Sequence, residues 1–289
     1  MILCADDFAM TKGISEGILS LAEAGRLSAT SVLVTTRHWP TQAKAVVRLR
    51  GRLAIGLHLN LTFGAPLGPM PDLAPDGILP QPSRLIRKAF SGQVDIAEIR
   101  AEIERQLERF QAEAGLLPDF VDGHEHVHIL PGVRQAMTEV LKRRFPESRI
   151  WLRDPSDAPA NIIRRRVAVG KALFIGMLAT GFRQLVTANG FQVNDGFSGY
   201  SSFGRVSYAQ EFDAFLRYRG PQHMIMCHPG FADNELGSHD SISERRCEEY
   251  KVLSMRRDIL DLIRRPERSE RSLRFGAPRT HQMAAKSFT

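Results

Sequence analysis

Five groups of polar residues interrupt otherwise apolar runs in this sequence. They are Asp6-Asp7, His58, the run Asp122-Gly123-His124-Glu125-His126-Val127-His128, Arg153-Asp154, and His228 before Pro229-Gly230. One carboxylate and two neutral imidazoles suit a divalent cation such as Zn²⁺ and leave coordination positions open for water and a substrate. Such a cation lowers the pKa of water and polarises a carbonyl oxygen. Adjacent side chains diverge, so the aspartate that does not bind the cation is free to act as a general base. A histidine from another segment can then protonate a leaving amine. Together these roles fit metal-assisted hydrolysis of an amide.

Each group also has a plain structural reading. Paired aspartates at a strand end commonly cap a helix and a turn, a lone histidine such as His58 in an apolar strand is commonly a satisfied core residue, and His228 sits where a turn begins. The three histidines at i, i+2 and i+4 are harder to set aside. On a strand they share one side, and at a strand end bending into a loop one or two of them can reach a common point. All five groups fall at the ends of predicted strands, a coincidence that the plain readings do not explain. No Gly-x-Ser-x-Gly elbow, phosphate-binding P-loop or dinucleotide fingerprint occurs.

Short apolar runs alternate with amphipathic segments. Strands are predicted at residues 2–5, 31–35, 53–59, 120–122, 149–153, 191–194 and 224–227, rich in Val, Ile, Leu and Phe. Helices are predicted where apolar residues share a face: Ile14, Ile18, Leu19, Leu21 and Ala22; Ile99, Ile103, Leu107 and Phe110; and over 133–145, 162–186, 209–218 and 242–263. Seven strand–helix repeats give an α/β class with a parallel sheet, either a closed barrel or an open doubly wound sheet. Either arrangement gathers the strand ends on one face, where ligands bind. The proline-rich stretch Thr62 to Pro82 and the aromatic, glycine-containing stretch Asn194 to Tyr208 read as functional loops. In the second, Phe197, Tyr200, Phe203 and Tyr208 offer faces for stacking on a sugar or for packing on the body.

The chain has 289 residues, 43% hydrophobic and 25% charged, so it has the composition of a globular protein large enough to fold without disulfides. Its three cysteines have no metal-like spacing, which favours a reducing, cytoplasmic setting. The net charge is +7, but residues 251–289 hold ten Lys or Arg against four Asp or Glu, so most of the excess belongs to a tail. The body carries no basic stripe interleaved with aromatic residues, which argues against a nucleic-acid partner. There is no export signal or transmembrane segment to be read. The most apolar stretch, Ala172 to Phe182, is too short to span a bilayer. It follows Arg164-Arg165-Arg166, so it reads as a core-facing or partner-facing helix, with a peripheral membrane position or a homodimer contact as further readings.

Ala5-Asp6-Asp7-Phe8, Gly56-Leu57-His58-Leu59-Asn60-Leu61-Thr62, the Asp122–His128 run and Cys227-His228-Pro229-Gly230 occur in an order and spacing that resemble the YdjC-like carbohydrate deacetylase family. That family includes chitooligosaccharide and hopanoid-associated deacetylases. The resemblance spans roughly residues 1–250. It implies a distorted (β/α)7-type, TIM-like barrel of the glycoside hydrolase and deacetylase kind. It also implies removal of an N-acetyl group from an acetylated amino sugar, oligosaccharide or lipid-linked, with release of acetate. By the resemblance, Asp7, His58 and His124 are the ligands of one divalent metal ion, Mg²⁺ or Zn²⁺. Asp6 is the catalytic base, His228 the general acid, and Arg153 the arginine that orients the base. His126 and His128 are assigned to orienting the ligands or facing substrate. The family usually has Gly after Ala-Asp-Asp-Phe, where this chain has Ala9.

The same residues also suit a metal-dependent phosphoesterase or other amidohydrolase, or a carbohydrate-binding relative without turnover. The expected organisation is one catalytic domain over residues 1–265 followed by a basic tail over 266–289.

Overall fold

The computed structural model describes residues 1–147, 150–202, 206–233, 235 and 243–264. Eight strands form one sheet: β1 (Ile2–Phe8), β2 (Ala29–Val32), β3 (Ala54–Leu59), β4 (Phe120–Gly123), β5 (Trp151–Leu152), β6 (Gln192–Val193), β7 (Phe197–Ser198) and β8 (Met224–Cys227). Every ladder is parallel, and the spatial order is β6-β5-β4-β3-β2-β1-β8-β7. That is the order of a (β/α) barrel with a single seam, since β6 and β7, consecutive in the chain, lie at the two edges. The barrel-like α/β architecture expected from the sequence is present. It gains one strand, β7, which lies inside the aromatic stretch and is too short to leave an alternation signal.

The strands at the centre are buried along their length because both faces are covered, and Asp6, Asp7 and His58 stand out as polar side chains within them. Seven consecutive residues of β1 are buried, as are all six of β3. Gly56 of β3 is required by packing: a Cβ there would lie 2.4 Å from the ring of Phe120, which itself stacks on Trp151.

Helices α1 (Lys12–Glu23), α2 (Trp39–Val47), α3 (Pro82–Phe90), α4 (Ile96–Ala114) and α5 (Val133–Arg144) accompany the first half of the sheet and α9 (Tyr208–Phe215) precedes β8; α1 and α4 follow the sequence reading closely. In α1, Thr11 caps the N-terminus by accepting from Ile14 N, and Ile14, Ile18, Leu21 and Ala22 face the core. In α4, Asp95 accepts from Ala97 N and Glu98 N, Ile99, Ile103, Leu107 and Phe110 are buried, and Gly115 ends the helix with φ 67°. A side-chain acceptor at the N-cap and a left-handed glycine at the end are what the orphan amide and carbonyl groups of a helix need.

The long helix expected over 162–186 is instead three: α6 (Pro159–Arg165), α7 (Val169–Leu178) and α8 (Phe182–Ala188). Arg166, Ala168 and Gly181 adopt left-handed conformations at the two breaks, with φ of 57°, 42° and 79°. The first break is held by Arg165, whose guanidinium turns inward to Asp157 and to the carbonyls of Phe197, Arg217 and Tyr218. The periodicity of the apolar residues carries through both breaks and hides them. Likewise the helix expected over 242–263 divides into α10 (Ser243–Met255) and α11 (Asp258–Arg264), and residue 242 lies outside the described residues. Among the described residues no single helix is long and apolar enough to cross a membrane; α7 and α8 meet that measure only as a pair bent by 45°. The basic tail over 266–289 lies outside the described residues.

Candidate active site

The polar strand ends converge where β1, β3, β4, β5 and β8 finish. On β1 the pairing with β2 shifts register between Ala5 and Phe8, and Asp7 takes a left-handed φ of 68°. In a regular strand Asp6 and Asp7 would point to opposite faces. Here the irregularity lets both look into one site. Ser31 on β2 marks the junction, with its hydroxyl 3.1 Å from His58 Nδ1 and 3.4 Å from Asp6 Oδ1.

His58 owes its orientation to strand register. It lies directly opposite Asp122 in the β3–β4 ladder, and His58 Nδ1 is 2.6 Å from Asp122 Oδ1. With Nδ1 engaged there, His58 Nε2 lies 3.4 Å from Asp7 Oδ1. After β4 the chain enters a kinked 3-10 segment, His124–Ile129, in which Glu125 and His126 have positive φ of 53° and 58°. That kink sends the three histidines apart. His124 Nδ1 reaches Asp7 Oδ1 at 3.1 Å, His126 packs edge-on against Phe197 and Tyr200, and His128 Nε2 lies 2.8 Å from the carbonyl of Arg153. One histidine of the three therefore joins Asp7 and His58, and His128 supports the backbone of Arg153 instead.

The ligand atoms of Asp7, His58 and His124 all lie within 4.8 Å of one another, a separation that one cation can bridge. Beside them Arg153, fully buried at the end of β5, grips Asp6 through two bonds of 2.6 Å. The same guanidinium contacts Asp122 Oδ2 and, at 3.1 Å, Cys4 Sγ. Cys4, Asp6 and Asp122 form a second group with ligand-like spacing, but the Arg153 cation already bridges it.

The chain matches the family model described as YdjC-like protein over residues 1–258. It belongs to the YdjC-like family. Among its relatives in that family, a carbohydrate deacetylase of Mus musculus is 31% identical over 259 residues, covering 80% of this chain and 78% of the relative. A chitooligosaccharide deacetylase of Proteus mirabilis is 28% identical over 239 residues, covering 82% and 83%. A crystal structure of a "putative cellobiose-phosphate cleavage protein" from Enterococcus faecalis superimposes with a TM-score of 0.69 at 22% identity, over 91% of this chain and 92% of that one, and so shares the fold.

Electrostatics in this YdjC-like site are set by burial opposed by close partners. Burial alone would raise the Asp6 carboxyl, but the Arg153 guanidinium holds it well below the usual carboxylate range. Asp7 is likewise held low against burial, by Arg246 and by its bonds to His124 and His58. Burial works against a charged His58, yet Asp122 and Asp7 lift it to about 10. His228, on the chain leaving β8, is pushed down to about 4 by burial, although Asp7 and Asp6 are near enough to pull it upward. Its backbone N–H donates to Glu249 Oε2 at 2.5 Å, while no hydrogen bond from its ring is seen among the described residues.

Three contributors carry no signal that sequence reading could assign. Arg246, on charged helix α10, looks like a solvated face residue, yet it is buried and its Nη2 lies 2.8 Å from Asp7 Oδ2. Asp122 stands in a quoted motif without a role, and only the strand register shows that it serves both His58 and Arg153. Ser31 is an ordinary residue inside a strand.

The aromatic loop does not present stacking platforms: Phe197, Tyr200 and Tyr208 are buried, Tyr200 donates to the Pro155 carbonyl at 2.7 Å, and Phe203 lies outside the described residues. The proline-rich loop begins at the site, where Asn60 Oδ1 accepts from Thr62 N and Phe63 N, and the Phe63 ring meets His124 edge-on. Farther along, the loop is pinned to α4 by Glu102 and Glu98, which accept from Leu67 N and Leu73 N.

Proposed function

We propose that the protein is a metal-dependent deacetylase that hydrolyses the N-acetyl group of an amino sugar to acetate and a free amine. The observation that carries this reading is the convergence of Asp7, His58 and His124 around one point beside an Arg-clamped Asp6. The names of the relatives supply the substrate class, an acetylated oligosaccharide.

The donor set fits a divalent cation. Two imidazole nitrogens and one carboxylate oxygen form the usual open catalytic arrangement, and His58 keeps Nε2 directed inward because Asp122 engages Nδ1; a cation held there would displace the proton that Asp122 and Asp7 otherwise keep on that ring. The imidazoles favour Zn²⁺ over Mg²⁺. When bound, the cation would polarise the acyl carbonyl and acidify a water. Asp6, ionised and fixed by Arg153, accepts the proton of the attacking water. His228, neutral at pH 7, would take the second proton of that water, from the hydroxyl left on the acyl carbon, and pass it to the departing nitrogen, so that a free amine and acetate leave. His128 holds the Arg153 carbonyl and through it the guanidinium that aligns Asp6.

A phosphoesterase with two cations has less support, because the second candidate ligand group is bridged by Arg153, which is engaged by Asp6 and Asp122. We assign a reducing, cytoplasmic setting from the three cysteines of the sequence, an odd number without metal-like spacing. We place one catalytic domain over residues 1–265, with a separate basic tail.

The test is acetate release from chitobiose and longer acetylated chitooligosaccharides, with metal analysis of the same sample. Release that chelation abolishes and added Zn²⁺ or Mg²⁺ restores is expected. Phosphate release without acetate release, or turnover indifferent to chelation, would overturn the reading.

A further inference from the structure

Between Asp157 and Asp195 the sequence holds no acidic residue and five basic ones, Arg164, Arg165, Arg166, Lys171 and Arg183. Two of these turn toward carboxylates at the segment's edge, Arg165 to Asp157 at 2.6 Å and Arg183 to Asp154 at 2.9 Å. The other three are exposed.

Helix α7 buries Ala172, Ile175 and Leu178 and turns Leu173, Phe174 and Met177 outward, with 37%, 47% and 60% of their surface accessible. Ile163 on the preceding helix is 56% exposed, and Tyr218, under the Arg164 guanidinium at 5.6 Å, is 48% exposed. Single exposed apolar residues are ordinary, but large ones clustered on one helix face with cations beside them are not.

We propose that the α6–α7 face docks the protein on an anionic lipid bilayer. Phe174 and Met177 would enter the boundary between headgroups and acyl chains, while Arg164, Arg166 and Lys171 meet the lipid phosphates. Apolar side chains flanked by lysine and arginine, on a segment that itself holds no acid, are the composition of a helix lying in a membrane interface. A second copy of the chain is a poorer occupant, because a two-fold contact would set the same three cations against their own images.

The position of this face gives it a use. Ala172 of α7 lines a small cavity together with Phe197 and Tyr200, the two rings that pack edge-on against His126, so the docking helix adjoins the aromatic wall of the site. An amphiphilic glycan embedded in the bilayer would meet the site without leaving the surface. The docking itself does not depend on which reaction the site performs.

The test is co-sedimentation of the full-length protein with vesicles of phosphatidylcholine alone, or of phosphatidylcholine and phosphatidylglycerol in equal parts, at low and high salt. Binding is expected only to the anionic vesicles, weakening as salt screens the phosphates. The double variant Phe174→Glu, Met177→Glu should fold normally, keep its activity on a soluble substrate and lose about tenfold or more of its vesicle partitioning. Absence of binding to anionic vesicles would overturn the proposal, as would undiminished binding by the double variant, which would place the contact elsewhere in the chain. A double variant that turns a dimer into a monomer in sedimentation velocity would assign the face to a second copy and overturn it equally.

Discussion

Arg246 Nη2 holds Asp7 Oδ2 at 2.8 Å, while the other oxygen of the same carboxylate faces His124 at 3.1 Å and His58 at 3.4 Å. A helix distant in sequence thus occupies one side of Asp7 and leaves the other to the imidazoles. Replacing Arg246 with Gln removes the neutralising cation from a buried carboxylate, a change that typically costs about 3–5 kcal/mol. A divalent ion can take over that role, so Zn²⁺ should raise the melting temperature of Arg246→Gln by more than it raises that of the parent. Equal metal-induced shifts in the two proteins would show that the arginine and the ion do not share Asp7.

Asp6→Asn keeps the shape of the side chain and removes its charge. Loss of a positioned base is expected to lower acetate release by about 10²–10⁴-fold, with the metal content unchanged. A stoichiometric metal assay beside the rate measurement separates this outcome from collapse of the site. A variant that kept most of its turnover would remove Asp6 from the mechanism.

Ala9 sits fully buried with φ 68°, in the left-handed region that alanine resists and glycine adopts freely. Ala9→Gly relieves about 1–2 kcal/mol of backbone strain and gives back roughly 0.5–1 kcal/mol through the looser unfolded chain. Urea unfolding should therefore show stability unchanged or slightly raised, with metal binding kept. Ala9→Val combines a branched side chain with the same φ and should lose more than about 2 kcal/mol. If valine were tolerated as well as glycine, the left-handed geometry at this position would be wrong.

Burial lifts the Glu249 carboxyl to about 8, against the pull of the His228 N–H and of Arg246 and Arg245. The folded protein then holds a proton that the unfolded chain releases near pH 4.3. Its contribution is fully present below that pH and is lost as pH rises through 8, a loss on the order of a few kcal/mol. Glu249→Gln keeps an acceptor for the His228 N–H and cannot ionise. Its stability should fall less between pH 5 and 9 than that of the parent, as read by denaturant unfolding at each pH. Parallel pH profiles would show that Glu249 does not titrate in this range.

Much of this architecture was legible in the chain because the buried strands and the apolar faces of α1 and α4 leave strong periodic signals. The polar strand ends were legible for the same reason, since an aspartate or histidine amid Leu, Ile and Val stands out. What stayed hidden depends on geometry that no pattern encodes. The paths of His124, His126 and His128 diverge because Glu125 and His126 turn left-handed, which a spacing of i, i+2, i+4 does not reveal. The breaks at Arg166–Ala168 and Gly181 interrupt the backbone without interrupting the apolar rhythm. Arg246 reaches Asp7 across more than two hundred residues, and its charged neighbours in α10 disguise it.

Asp122 has a consequence for how such a protein can change. Its two oxygens separately steer His58 and Arg153, so any substitution that moves β4 misaims a cation ligand and the clamp on the base in one stroke. Variation between relatives should consequently accumulate in the surrounding loops and outer helices, leaving this inner quartet of Asp6, His58, Asp122 and Arg153 to be inherited as a block.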